Sequence, residues 1–205
     1  MDDHDPSNLE MTGATVAVDA AGGTVVLRDG RFRRMLGWDE ALLLGFRRFH
    51  TPWRTAIARS LTAMGDGKTW TMVGVACLAT CTSRGAHLGL RLGAATGIAT
   101  LFSQALKRSL TRPRPSSAIV GFEALAANPD RFSFPSGHTS AAFGVAVAFA
   151  GEPHGLGPGA LLLSLGIALS RVYLGAHYPL DVAVGAVLGA AAGGTARLAL
   201  SLAGL

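Results

Sequence analysis

The chain has 205 residues, enough for one domain, with 49% apolar and only 15% charged residues. A soluble domain carries about a quarter charged residues, so with a mean hydropathy of +0.37 the sequence argues against a soluble fold and for membrane integration. The net charge is +5, and the basic, aromatic-interleaved patch of a nucleic-acid surface is missing. Anionic lipid headgroups or a phosphorylated substrate are therefore the expected partners, and nucleic acid is not.

Residues 1–37 read as a flexible N-terminal arm: Asp2, Asp3 and Asp5, then Gly- and Ala-rich sequence with a small hairpin around Ala21-Gly22-Gly23. The first 30 residues lack the basic-then-apolar pattern of a signal peptide. Residues 38–64 alternate apolar groups with Arg47, Arg48, His50, Arg54 and Arg59. That pattern predicts an amphipathic helix lying in the interface, with Trp38 and Trp53 near headgroup level; a sixth span is the alternative. Uncharged stretches then follow at 69–83, 92–106, 139–151, 155–170 and 182–196. Each is shorter than the ~20 residues of a full span but extendable at its flanks. The predicted helices are 69–85, 88–107, 137–151, 158–174 and 180–203. The expected fold is all-α, a multi-pass membrane bundle of about five spans, with 38–205 as one membrane domain. Cys77 and Cys81 share one helix face and read as packing residues. Gly185, Gly189 and Gly193, four apart, let helices approach closely. They serve internal packing or a homo-oligomer.

Counting alternate crossings brings Lys107, the 108–136 loop, Arg171 and the start of the last helix to one end of the bundle. Fifteen of the 18 Lys and Arg fall at that end, against Arg84, Arg91 and Arg197 elsewhere. The positive-inside tendency then puts that end in the cytoplasm and the protein in an inner or plasma membrane.

Three blocks meet there: Lys107 to Pro115, Pro135 to His138, and Ser170 to Asp181. His177 and Asp181 lie four apart around Pro179, which favours the first turn of a helix. Asp181 can thus reach back to one ring nitrogen of His177, fixing its tautomer and raising the basicity of the other. That is the arrangement a nucleophilic imidazole needs. His138 opens a helix after Ser136, a candidate N-cap, and Gly137, where backbone N–H groups can approach an oxyanion. His138 is placed to protonate a leaving oxygen. Lys107, Arg114 and Arg171 would hold non-bridging phosphoryl oxygens. Arg108, Arg112 and Arg131 read as solvated or headgroup-facing.

Lys107-x6-Arg114-Pro115, Pro135-Ser136-Gly137-His138 and Ser170-Arg171-x5-His177-x3-Asp181 together closely resemble the three-part signature of the type 2 phosphatidic acid phosphatase superfamily. Vanadium-dependent haloperoxidases share that signature. The resemblance implies a metal-independent phosphatase with no cofactor, working through a covalent phosphohistidine. Its family roles would be His177 as nucleophile, His138 as general acid and Asp181 as the partner of His177. Lys107, Arg114, Ser136, Gly137, His138 and Arg171 would line the phosphate pocket. The expected substrate is a lipid phosphate or diphosphate, such as phosphatidic acid, phosphatidylglycerophosphate or a polyprenyl phosphate. Two other readings are open: a vanadate-dependent haloperoxidase-like enzyme, and a non-catalytic protein that binds or transports an anionic lipid.

Overall fold

The computed structural model describes residues 15–18, 24–27, 30–126 and 130–204, with side chains from 34 onward. Much of the expected arm, residues 1–14, 19–23 and 28–29, lies outside the described residues. Within it, β1 (Thr15–Val18) and β2 (Thr24–Leu27) form an antiparallel hairpin whose Thr and Val residues suit a strand. The other regular elements among the described residues are helices: α1 (Gly30–Phe46), α2 (Pro52–Met64), α3 (Gly67–Ala79), α4 (Ser83–Ser109), α5 (Pro115–Ala118), α6 (Gly137–Ala148), α7 (Leu156–Tyr173) and α8 (Pro179–Leu202).

Where one amphipathic helix was expected over 38–64, the chain builds two. A 3-10 turn at Arg47–Phe49 ends α1, and His50 and Thr51 are extended before α2 restarts at Pro52. The residue before a proline is pushed out of the helical region, and proline itself suits the first helical position. The helix α1 turns one narrow stripe inward. Asp39 and Leu43, one turn apart, are 5% and 1% exposed, and Leu43 packs with Phe122, Val172 and Tyr178.

Of the remaining helices, α7 and α8 are long and apolar enough to cross a membrane. At 27 residues α4 is about 40 Å long. The 12 residues of α6 make only about 18 Å, and α6 packs against α4, α7 and α8 at the centre of the bundle. Its neighbours explain the composition: Ala141, Ala142 and Val145 meet Trp70, Leu92 and Ile167. Gly185, Gly189 and Gly193 do the close packing expected of them. A Cβ on Gly185 would lie 2.7 Å from the Ser136 carbonyl, and one on Gly189 or Gly193 would run into the carbonyls of Ser140 or Gly144. Apolar side chains also face outward, Met72, Leu101, Leu162 and Val187 among them, a surface suited to lipid rather than water.

Candidate active site

The third sequence block is shaped by how α7 stops. Gly175 takes a left-handed conformation (φ 70°). Its N–H donates to the Val172 carbonyl, and that of Ala176 donates back to Arg171. This pair of bonds is the Schellman ending, which reverses the chain with glycine at the left-handed position. A side chain on Gly175 would also collide with the Phe122 ring. The reversal is why five residues separate Arg171 from His177 in sequence while both sit in one pocket.

From His177 the chain enters α8 at once. Tyr178 is the N-cap, Pro179 the first helical residue, and Asp181 closes the turn by accepting the Tyr178 N–H at 3.0 Å. The Asp181 Oδ2 lies 3.7 Å from Nδ1 of His177, beyond hydrogen-bond distance. That nitrogen is buried with no hydrogen-bond partner. The second block is pinned to the third through the backbone, because the N–H of Ser136 donates to the Asp181 carbonyl at 3.0 Å. Ser136 stands at the N-cap position of α6, but its hydroxyl pairs with Thr139 Oγ1 at 2.9 Å instead of capping a backbone N–H. Beside Gly137 the space is open, with nothing within 4 Å of where a Cβ would be. His138 faces the α2–α3 junction, its Cδ2 3.4 Å from where a Cβ on Gly65 would lie.

The cations close the pocket. Lys107, Arg114 and Arg171 are 6%, 6% and 2% exposed. Arg114 donates to the carbonyls of Asp130 and Ala176 at 2.6 and 2.7 Å, and its Nη1 is 3.4 Å from Nε2 of His177. Arg171 approaches Thr62 Oγ1 at 3.4 Å. All eight residues singled out from the sequence thus gather at one end of the bundle.

Burial pushes the His177 imidazole down to about 4, with Arg171 and Arg114 adding to the shift and Asp181 opposing it. It is therefore neutral at physiological pH. Burial also lowers Arg114, against the pull of Asp130 and Asp181.

Four residues at this end were not legible as site residues. Asp130 accepts from Lys107 Nζ at 2.5 Å and lies 3.9 Å from Arg114. Burial works against its charge, yet Lys107 and Arg114 hold its carboxyl below the usual range. An anion thus sits where Lys107 and Arg114 converge. Arg112, read as solvated, is instead an internal bridge: its guanidinium donates to Asp181 and to Asp39, each at 2.7 Å. Its partners lie 69 and 73 residues away in sequence, beyond the reach of local spacing. Asp39 and Thr62 come from the N-terminal helices, which the motifs do not reach.

A profile described as the PAP2 superfamily matches residues 88–202. The chain belongs to the PAP2 superfamily. It is 34% identical over 142 residues to the decaprenylphosphoryl-5-phosphoribose phosphatase of Mycobacterium tuberculosis, covering 69% of this chain and 78% of the relative. With a protein of Escherichia coli named a putative undecaprenyl-diphosphatase, YbjG, it shares 36% over 105 residues, half of this chain and 52% of the other. Among solved structures, LpxE of Aquifex aeolicus superposes with a TM-score of 0.64 at 26% identity, over 76% of this chain and 92% of that one. A transmembrane PAP2-type phosphatidylglycerolphosphate phosphatase of Bacillus subtilis gives 0.67 at 24%, over 80% and 85%, a likeness of fold. This PAP2 protein is an enzyme, a lipid phosphate phosphatase.

Proposed function

We propose that this PAP2 phosphatase releases the terminal phosphoryl group of a lipid phosphate or diphosphate through a phosphohistidine on His177, without a metal ion. The observation that carries the reading is the neutral, buried His177 with Nε2 beside Arg114 and Nδ1 turned to Asp181. Nε2 attacks phosphorus and the bond to the lipid oxygen breaks, with His138 protonating that oxygen. The Nδ1–H is held toward Asp181 Oδ2, which stabilises the positive charge the ring acquires. Water then attacks the phosphorus and gives a proton to His138, the bond to Nε2 breaks to return the neutral His177 ring, and inorganic phosphate leaves. Lys107, Arg114 and Arg171 neutralise the non-bridging oxygens, with the Gly137 backbone N–H alongside.

Two features support a lipid carrying a polar headgroup. A cavity of about 790 Å³ opens beside Arg114, and Ser116, Ser117 and Glu123 line it. An apolar groove of about 410 Å³ runs between α2 and α7, along Trp53, Ile57, Leu61 and Leu169, and reaches Ser170 beside Arg171. The named activities of the relatives on prenyl-linked phosphates support the same class.

Phosphate release from lipid mono- and diphosphates in EDTA, by wild type and His177→Ala in detergent, tests the reading. Release lost in the variant is expected. Full release by His177→Ala, or activity restored only by Mg²⁺, overturns it. We further propose a multi-pass topology with the site facing the cytoplasm, supported by the 15 of 18 Lys and Arg at that end. Cys81 is exposed at the opposite end, so in Cys77→Ser protein an impermeant maleimide should label it from outside intact cells. Labelling only after lysis would reverse the orientation.

A further inference from the structure

Asp181 is completely buried, yet the carboxylate that must steer His177 is held chiefly from elsewhere. Its Oδ2 takes the Tyr178 N–H, and its Oδ1 takes Arg112 Nη1. Arg112 is itself held three ways. Its other terminal nitrogen donates to Asp39 Oδ2 at 2.7 Å, and its guanidinium carbon lies 3.8 Å from the centre of the Tyr178 ring. Asp39 in turn uses its second oxygen to accept the N–H of Leu180 at 2.8 Å, in the first turn of α8. A closed circuit results, running from α8 through Asp181 and Arg112 to Asp39 on α1 and back to α8.

The circuit separates two jobs on one carboxylate. Arg112 occupies Oδ1, so Oδ2 is the oxygen that remains toward Nδ1 of His177, 3.7 Å away. A planar guanidinium can span two carboxylates at once, whereas an ammonium is a single point charge. We infer that Arg112 is a positioning residue for Asp181, and that Asp39 on α1 sets the position of Arg112. Neither touches the reacting atoms. Arg112 lies outside the three sequence blocks' site residues, and Asp39 is contributed by a helix that precedes all of them. The inference rests on the proposed pairing of His177 with Asp181.

Three variants in detergent test it, with kcat and KM read separately beside thermal unfolding. In Arg112→Gln the carboxylate loses its outer anchor, and kcat should fall about 10- to 100-fold, the usual effect of removing a group that orients a functional side chain. KM should stay within about twofold, because no phosphate contact is removed. Arg112→Lys keeps the charge but not the fork and should recover part of kcat. Asp39→Asn keeps an acceptor for the Leu180 N–H and loses only the charged anchor of Arg112, so its fall in kcat should be smaller and again without a change in KM. Normal kcat in folded Arg112→Gln overturns the inference. If that variant does not fold, the other two decide, and normal kcat in both overturns it. The two readings fail separately: full turnover by His177→Ala overturns the nucleophile, whereas normal Arg112→Gln beside inactive His177→Ala overturns only the positioning role.

Discussion

At the motif end of the bundle, Lys107 and Arg114 are almost wholly buried and converge on one carboxylate, Asp130, whose side chain is 44% exposed. At the far end, Glu152 takes both Arg91, at 2.6 Å, and His87, at 3.2 Å, where α4 meets the turn after α6. Each cluster sets one carboxylate against two basic side chains, but at the far end the carboxylate is the better buried partner and the basic groups keep more water, at 12% exposed against 18% and 34%. Buried cations gathered around an exposed anion suit the proposed exchange of that anion for a phosphate. A buried anion wrapped by wetter basic groups forms a clamp between helices. The contrast teaches that charge content alone does not mark a site; the side of the pair that is desolvated does.

The sharpest way to test that contrast is to neutralise a buried anion at the motif end. Asp181→Asn keeps shape but leaves the charge on His177 unsupported, and kcat should fall by about 10³- to 10⁴-fold, the scale of losing a carboxylate behind a catalytic histidine. Near-normal turnover in a folded sample would remove Asp181 from the mechanism. The pH profile comes next. Burial lowers His177 to about 4, and the proposed nucleophilic role requires the neutral ring, so kcat/KM should hold as pH falls and decline only on approaching that value. A limb near the ordinary histidine value of about 6.5, once the substrate's own ionisation is allowed for, would contradict the desolvated site.

Smaller effects should separate the two anions. In the proposed reaction, substrate phosphate displaces Asp130 from Lys107 and Arg114. Asp130→Asn should therefore lower KM by about two- to fivefold with little change in kcat, the modest scale of a partly exposed ion pair. A raised KM would mean that the carboxylate helps to bind substrate. Glu152→Gln should leave both constants within about twofold and only reduce thermal stability, by about 1–2 kcal/mol for hydrogen bonds to a charged acceptor. A large drop in kcat there would show that the far end is coupled to the chemistry.

The helices α3, α4, α6, α7 and α8 follow uncharged stretches of the sequence, with ends legible where local chemistry decides them, as at Pro179, whereas the one-turn α5 falls inside the expected 108–136 loop. The break between α1 and α2 is hidden by hydrophobic alternation that runs through it, and comes from the restriction that Pro52 imposes on Thr51. Lys107, Arg114, His138, Arg171, His177 and Asp181 could be named because their spacings are local, set by one helix end or one turn each. Asp130 carried no signal beyond being a carboxylate in a cationic loop. Arg112 was set aside as solvated, since nothing within a few residues of it offers a partner.

An all-helical membrane fold and the chemical types of the three motif blocks are legible in the residues alone. These follow from hydropathy and periodicity, which act over a few turns of chain. Only the tertiary structure decided which charges are partners. Arg112 finds Asp39 and Asp181 because α1 lies across the start of α8, with Leu43 seated against Val172 and Tyr178. Ion pairing depends on distance in space and on desolvation, and neither is written in the spacing of residues along a chain.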